Sequence, residues 1–352
     1  MFLKHLVLRN FRNYRSAEVS FSPGINWIQG NNGQGKTNLL EAIYLLSTGR
    51  SFRASALSDL ILWGESFFYL EGIFEKDGVE QSLKVYYDPQ TRKIQYNQTV
   101  FPTLTSLLGI LPSVLLSPDD LCLVSGTPSE RRRFIDMHIA QMDALYIHHL
   151  GRYFKGMKQR NVLLKAKSDT SIASWEQMMA HSADYLVKKR EWAIQALQGP
   201  ATEWMQRLSN AKDQMHLDYE SSLSSQFAES WQRHRAKEMI IGSTLQGPHR
   251  DDLSICLGEK KAKIFSSEGQ KRSCICSLRF AQWELMKESI GSPPLLGIDD
   301  FGIQLDQERQ GQLKQFLTSF HQVFLSSPLP LTDSIPHSCP PAIFHIINGV
   351  VS

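Results

Sequence analysis

One eight-residue string constrains the fold of this chain more than any other feature of its sequence. Residues 30–37 match the pattern G-x-x-x-x-G-K-[ST] and lie between a predicted strand at 25–29 and a predicted helix at 38–47. In this setting glycines let the backbone turn its N–H groups inward, and the helix N-terminus adds partial positive charge. The sequence therefore predicts a phosphate cradle, the name used below for residues 30–37.

The cradle residues have separate predicted roles. We expect Lys36 to reach the β- and γ-phosphates of ATP and the hydroxyl of Thr37 to bind Mg²⁺. The nucleotide-binding residues predicted from the cradle are Gly30, Asn31, Asn32, Gly33, Gln34, Gly35, Lys36 and Thr37.

A phosphate cradle needs an acid that holds its metal. The apolar run at 294–298 ends in Asp299 and Asp300, as a buried strand would if it delivered carboxylates at its C-terminal end. We predict that Asp299 binds Mg²⁺ and that Asp300 orients the attacking water. The structural alternative is a strand that simply leads into a turn.

Composition excludes several other classes of protein. No apolar run approaches the roughly 18–20 residues that span a bilayer, and Lys4, Arg9 and Arg12 interrupt the apolar start of the chain. The five cysteines form no CxxC pair, which favours reduced thiols over disulfides or a zinc site. We therefore predict a cytoplasmic protein with no membrane partner.

Hydrophobic periodicity divides the chain into two lobes. Strand-like runs fill the first hundred residues, including a predicted hairpin at 68–87, and they return after about residue 246. Between them, 127–130 reads as a capping box, an apolar helical face follows over 135–157, and a second helix is predicted to stop at Gly199-Pro200. The predicted class is α/β: an ATPase lobe at 1–110 and 246–352, with a mainly helical lobe at 111–245 inserted in it.

Basic charge is concentrated at the start of the helical lobe. Residues 128–170 hold nine Lys or Arg against four Asp or Glu, whereas the whole chain has a net charge of only +3. Arg131, Arg132 and Arg133 are therefore the predicted contacts to DNA phosphates. The alternative is a solvated helix face.

A second short string precedes the acidic pair. Ser267-Glu268-Gly269-Gln270 begins a predicted helix and resembles the S-x-G-Q signature of ABC-type ATPases. In those proteins the signature binds the γ-phosphate held by the opposite subunit. We therefore predict that Ser267, Gly269 and Gln270 contact nucleotide on a second copy, so that ATP closes a head-to-tail homodimer and hydrolysis opens it.

Together these strings resemble the bacterial RecF family of recombination-repair proteins over nearly the whole chain. The resemblance also rests on the strings at 8–14, 117–121, 126–136 and 247–252. It implies an ABC-type head related to the SMC ATPases, slow DNA-stimulated ATP hydrolysis, and binding to single-stranded, gapped or junction DNA. It also implies partnership with RecO and RecR in loading recombinase, and a link to replication and the SOS response.

Some positions stay open or depart from the family. Arg12 is predicted beside the nucleotide, with an ordinary strand-end arginine as the alternative. The string at 247–252 is either a nucleotide or dimer contact or a turn whose Arg and Asp pair. After the acidic pair the family has Ser-Glu-Leu-Asp, whereas this chain has Ile303-Gln304-Leu305-Asp306.

Two other functions fit parts of the pattern. An ATP-holding DNA scaffold with little turnover would accommodate the changed loop at 303–306. A transporter-type ATPase would share the motifs, but the long helical insert between Lys36 and Ser267 disfavours it.

Overall fold

The structure, a computed structural model, describes residues 1–301, 307–330 and 340–352. Its strands are β1 (Phe2–Phe11), β2 (Tyr14–Ser20), β3 (Gly24–Gln29), β4 (Phe68–Lys76), β5 (Val79–Tyr87), β6 (Arg92–Tyr96), β7 (Thr99–Phe101), β8 (Ser113–Leu116), β9 (Met215–Glu220), β10 (Asp252–Leu257), β11 (Lys260–Lys261), β12 (Leu295–Ile298), β13 (Gln322–Ser327), β14 (Ala342–Ile347) and β15 (Val350–Val351). Its α-helices are α1 (Lys36–Thr48), α2 (Leu121–Ser125), α3 (Pro128–Ala140), α4 (Ala144–Lys165), α5 (Ile172–Leu208), α6 (Phe227–Ile241), α7 (Ala262–Phe265), α8 (Glu268–Ile290) and α9 (Gln307–Phe316).

Two six-stranded sheets organise the ATPase lobe. The first is antiparallel, with strand order β2-β1-β4-β5-β6-β7. The second has the order β15-β14-β3-β13-β12-β8 and is parallel except for β15. Because the carboxyl ends of parallel strands meet at one edge, β3, β12 and β13 deliver their following residues to the same place.

Two apolar cores lie on opposite faces of the parallel sheet. Helix α1 packs in the core that the parallel sheet shares with the antiparallel one, where Leu39, Leu46 and Phe74 are fully buried. The other face packs on helices α3, α5 and α8, where Trp204, Phe280 and Phe320 form a ring cluster. Helix α1 is thus held on two sides, which fixes the position of the cradle at its N-terminus.

The predicted lobe boundary at residue 111 assigns strand β8 to the helical lobe, whereas β8 is part of the parallel sheet. Strand β8 pairs in parallel with β12 and is therefore part of the sheet that carries the cradle. Its four residues, SVLL, are all buried, although β8 is the last strand in the order of this sheet. Strand β9 lies inside the predicted helical lobe and pairs with β10, which follows that lobe in the sequence. The small three-stranded sheet of β9, β10 and β11 therefore joins the helical lobe to the ATPase lobe.

The apolar face predicted over 135–157 is divided between two helices. Helix α3 ends at Ala140, and α4 starts afresh because the carboxylate of Asp143 accepts the N–H groups of Leu145 and Tyr146 at 3.0 and 3.3 Å. The predicted helix start at Pro128 is confirmed, but Thr127 makes no capping bond; its hydroxyl pairs with that of Ser129 at 2.6 Å.

The predicted stop at Gly199-Pro200 is wrong. Helix α5 continues through Pro200 to Leu208. An interior proline costs about 3 kcal/mol because it lacks an N–H and its ring crowds the preceding turn. Beyond it, Trp204, Met205 and Leu208 are almost fully buried, and each contributes about 2 kcal/mol of burial. The combined free energy of burying these three side chains exceeds the cost of the interior proline. The sequence pattern around Pro200 does not show this burial, because it depends on tertiary packing.

Candidate functional site

The cradle is built at the carboxyl edge of the parallel sheet. Strand β3 ends at Gln29 and α1 begins at Lys36, so residues 30–35 form the whole connection. Gly35 caps the helix with φ of 122°, a conformation that disfavours side chains, and a Cβ there would lie 2.7 Å from the Asn13 amide nitrogen. A Cβ on Gly30 would overlap the carbonyl oxygen of Ile346. Gly30 is therefore required by close packing against backbone, and Gly35 by its own φ and the nearby Asn13 side chain.

The side chain of Lys36 curls back over the cradle. Its ammonium donates to the carbonyl oxygens of Gly30 and Asn31 at 2.7 and 3.0 Å. Burial lowers the pKa of this lysine, against the opposing attraction of Asp300 and Asp299. The ammonium is thus held inside the loop, where it is placed to bind an anionic oxygen.

A hydroxyl and a carboxylate converge beside the lysine. The Thr37 hydroxyl donates to Oδ1 of Asp299 at 2.9 Å, and the Ser326 hydroxyl donates to the same oxygen at 2.6 Å. Burial raises the pKa of Asp299, while these two hydrogen bonds oppose the change. Hydroxyl and carboxylate oxygens are the ligands that Mg²⁺ prefers, so Thr37 and Asp299 fit the predicted metal role.

Asp300 has an unusual backbone. Its φ is 51°, in the left-handed region, and its N–H donates to the Ser326 hydroxyl at 2.8 Å. Ser326 connects both acids, a contact that the sequence analysis did not predict.

Two distant segments support the cradle from the side. The Asn13 side chain donates to the carbonyl oxygen of Gln34 at 2.7 Å, and the Tyr14 hydroxyl donates to that of Gly35 at 2.9 Å. At the other end of the chain, the N–H groups of Asn348 and Gly349 donate to the side chain and carbonyl oxygens of Gln34 at 2.7 and 3.0 Å. The sequence analysis did not identify either support.

Arg12 lies next to this support and is engaged within the fold. Its guanidinium makes two 2.8 Å bonds to the buried carboxylate of Glu41 and a third, also at 2.8 Å, to the carbonyl oxygen of Asp59. A direct contact with nucleotide would have to compete with the Glu41 pair. Its nucleotide role stays a prediction.

The signature residues lie at the N-terminal cap of helix α8. Ser267 accepts the N–H of Gln270 at 3.2 Å, and the Gln270 side chain accepts the N–H of Ser267 at 3.0 Å, so the two form a capping box. Ser267 is exposed and Gly269 is half-buried. A second molecule can therefore reach this helix N-terminus.

The three arginines predicted to contact DNA have different surroundings. Arg131 is buried and forms a two-bond ion pair with Asp252, at 2.7 and 2.8 Å. Arg132 donates to the carbonyl oxygen of Asp251 at 2.6 Å. Only Arg133 of the three is exposed, so the structure commits the other two to contacts inside the protein.

The string at 247–252 makes structural contacts on both sides. Asp252 pairs with Arg131, and the Asp251 carboxylate accepts hydrogen bonds from Tyr219 and Ser222. His249 bonds the Tyr153 hydroxyl at 2.7 Å. Residues 303–306, where the chain departs from the family pattern, lie outside the described residues.

Comparisons with known proteins define the family. The model of the RecF/RecN/SMC N terminal domain matches residues 2–328. A DNA replication and repair protein RecF from Protochlamydia amoebophila (strain UWE25) is 46% identical and is matched over 94% of this chain and 95% of its own length. The RecF protein of Halalkalibacterium halodurans is 37% identical over 93% and 92% of the two chains.

Solved structures agree with the sequence relatives. A structure of the recombination mediator protein RecF-ATP in the RecFOR pathway superposes with a TM-score of 0.90 at 29% identity, over 100% of this chain and 97% of that one. An Smc head domain from Pyrococcus furiosus has a TM-score of 0.60 at 18% identity, covering 100% and 95% of the chains, and shows the fold alone.

A phosphate cradle at the carboxyl edge of a parallel sheet, faced by a buried acid and followed by a helical insert, defines an ABC/SMC-type P-loop head. The predicted α/β class with an inserted helical lobe is therefore confirmed. The chain belongs to the RecF family of DNA replication and repair proteins. Within the described residues, every helix is too short or too polar to cross a bilayer.

Proposed function

We propose that this chain is a Mg²⁺-dependent ATPase of recombinational repair and replication-fork maintenance that works as an ATP-gated DNA clamp. The observation that carries the proposal is the convergence of Lys36, Thr37 and Asp299 on one edge of the parallel sheet. Relatives named as DNA replication and repair proteins, and solved RecF structures with ATP and ATPrS, support the same assignment.

The residues divide the work of phosphoryl transfer. Lys36 leaves the carbonyl oxygens of Gly30 and Asn31 and binds the β- and γ-phosphate oxygens of ATP. The backbone N–H groups of the cradle surround and bind the phosphates. Thr37 and Asp299 would hold Mg²⁺, which would supply positive charge to the phosphate oxygens. Asp300, which follows Asp299 in a left-handed backbone conformation, orients the attacking water.

A second copy of the chain completes the site. Ser267, Gly269 and Gln270 stand at an exposed helix N-terminus, which favours an anionic phosphate. In the proposed dimer they bind the γ-phosphate held by the partner's cradle. ATP then closes the pair around DNA, and hydrolysis reopens it.

The remaining functions follow the family. The proposed DNA partner is single-stranded, gapped or junction DNA, and the proposed protein partners are RecO and RecR, with which the chain would load recombinase and promote the SOS response. The proposed location is the cytoplasm. DNA binding is expected to stimulate a slow ATP hydrolysis.

Sedimentation with ATP, with and without gapped DNA, tests the proposal, together with ATP turnover in the same samples. We expect ATP to convert monomer to dimer and gapped DNA to raise the turnover. Lys36→Met should abolish both responses. Dimerisation without turnover would favour the scaffold function instead, and indifference of both steps to DNA would contradict the clamp.

A further inference from the structure

An arginine cleft lies between the ATPase lobe and the start of the helical lobe. Its volume is about 520 Å³, and Arg50, Arg53, Arg92 and Arg133 line it. All four side chains are exposed. The residues that line it in the described structure include no Asp or Glu.

Among the described residues, three of these cations have no hydrogen-bond or ion-pair partner for their side chains. In the described part of the chain, the side chains of Arg50, Arg92 and Arg133 make no hydrogen bond or ion pair, whereas Arg53 donates to Asn38 at 3.2 Å. Neighbouring guanidinium groups repel one another, and a bound polyanion would relieve this repulsion. Guanidinium groups also match phosphate oxygens through paired hydrogen bonds.

An apolar pocket of about 510 Å³ continues from the cleft. Arg50 and Arg133 line both cavities. The apolar side chains of the pocket are Leu108, Met137, Ala140, Ile147, Leu150 and Phe154. Phe154 is 42% exposed, so part of its side chain is accessible to a ligand.

We propose that the arginine cleft and this pocket bind single-stranded nucleic acid, with phosphates on the guanidinium groups and an unstacked base against Phe154. A duplex keeps its bases stacked inside the helix, whereas a single strand can turn a base into an apolar pocket beside a basic groove. The proposal rests on the proposed DNA function and specifies the surface that performs it. It moves the contact from Arg131 and Arg132, which are bonded within the fold, to Arg50 and Arg92.

Salt dependence of binding tests the phosphate contacts. Fluorescence anisotropy with a labelled thymidine oligonucleotide would compare the full-length wild type with the triple variant Arg50→Gln/Arg92→Gln/Arg133→Gln. Each phosphate contact on a single strand contributes about 0.7 to the magnitude of the slope of log K against log salt concentration. The slope of the triple variant should therefore be smaller in magnitude by about 2. The control Lys212→Gln/Arg233→Gln/Lys237→Gln removes three exposed cations elsewhere and should keep the wild-type slope.

The base contact has its own matched pair. Phe154→Ala should weaken binding of the oligonucleotide about tenfold and leave duplex binding unchanged. Trp192, an aromatic residue of similar exposure at 44%, provides the control Trp192→Ala, which should change neither. Replacing Arg50, Arg92 and Arg133 with Lys keeps the positive charge and should retain most of the salt slope. A slope that falls in the Gln variant but not in the Lys variant then reflects lost phosphate contacts rather than loss of the fold.

The outcomes distinguish the site from the function. A wild type that binds no DNA at low salt contradicts the proposed function itself. A wild type that binds, with the triple variant equal to its control, overturns only the cleft. Competition by inorganic tripolyphosphate, without an arginine-dependent slope for the oligonucleotide, would assign the cleft to free polyphosphate and overturn the nucleic-acid proposal.

Discussion

The hydroxyl of Ser326 is hydrogen-bonded to both acids, so Ser326→Ala is a direct test of how the acidic pair is positioned. The change removes the 2.6 Å bond to Oδ1 of Asp299 and the acceptor of the 2.8 Å bond from the Asp300 N–H. A hydrogen bond to a charged group contributes about 1.5–3 kcal/mol. Loss of a group that orients a metal ligand lowers metal affinity or activity about 10–100-fold.

ATP hydrolysis measured against Mg²⁺ concentration at saturating ATP gives the readout. We expect Ser326→Ala to need about 10–100-fold more Mg²⁺ for half-maximal activity. Ser327→Ala is the matched control, since its buried hydroxyl accepts from the Leu329 N–H at 3.1 Å and makes no described contact with the acids. Equal Mg²⁺ curves for the two variants would refute the positioning role of Ser326.

Three further changes test other parts of the structure. Gly349→Ala should weaken ATP affinity by about 1–3 kcal/mol, measured with a fluorescent ATP analogue, because its Cβ would overlap the Asn13 carbonyl that adjoins the cradle. The control is Gly78→Ala, since Gly78 has nearly the same φ (76° against 75°) but open space around it. An equal effect of the two changes on ATP affinity would contradict this reason. Arg131→Gln should lower the free energy of unfolding by about 3 kcal/mol because it leaves Asp252 without its partner, whereas Arg133→Gln should change it by less than about 0.5 kcal/mol in the same denaturant titration. Burial lowers the pKa of His138 to about 3, so the unfolded chain binds the proton first and stability should fall below pH 6.5, by about 2 kcal/mol between pH 7.5 and 5; His138→Leu should remove about 2 kcal/mol of this loss, measured by denaturant titration at each pH, and an unchanged pH dependence would exclude His138 as its cause.

Local patterns were enough to predict the elements that surround the cradle. The strand at 25–29, the helix behind Lys36 and the hairpin at 68–87 each follow from periodicity and turn residues within one short window, and the structure has them as β3, α1, and β4 with β5. The acid after β12 was predicted in the same way. The interactions that were missed join residues far apart in sequence, such as Ser326 with Asp299 and Gly349 with Gln34.

Burial and pairing explain why one prediction was wrong and another was incomplete. Helix α5 continues beyond Pro200 because its last turns are buried against α8, a tertiary contact that local propensity does not encode. The basic run at 131–133 has one sign of charge in sequence, but only its partners in space show that Arg131 is paired with Asp252 and Arg133 is not. Charge in sequence therefore identifies candidate contacts, and the structure separates them.

Mixing two inactive variants tests the shared nucleotide site most directly. Lys36→Met removes the cradle lysine, and Ser267→Arg places a bulky cation at the signature. In a homodimer of either variant, both ATP sites should therefore be defective. If the signature acts on the partner's cradle, a mixed dimer has one intact site and should recover up to about half of the wild-type ATP hydrolysis per dimer. A mixture no more active than either variant alone would contradict an ATP site shared between two copies.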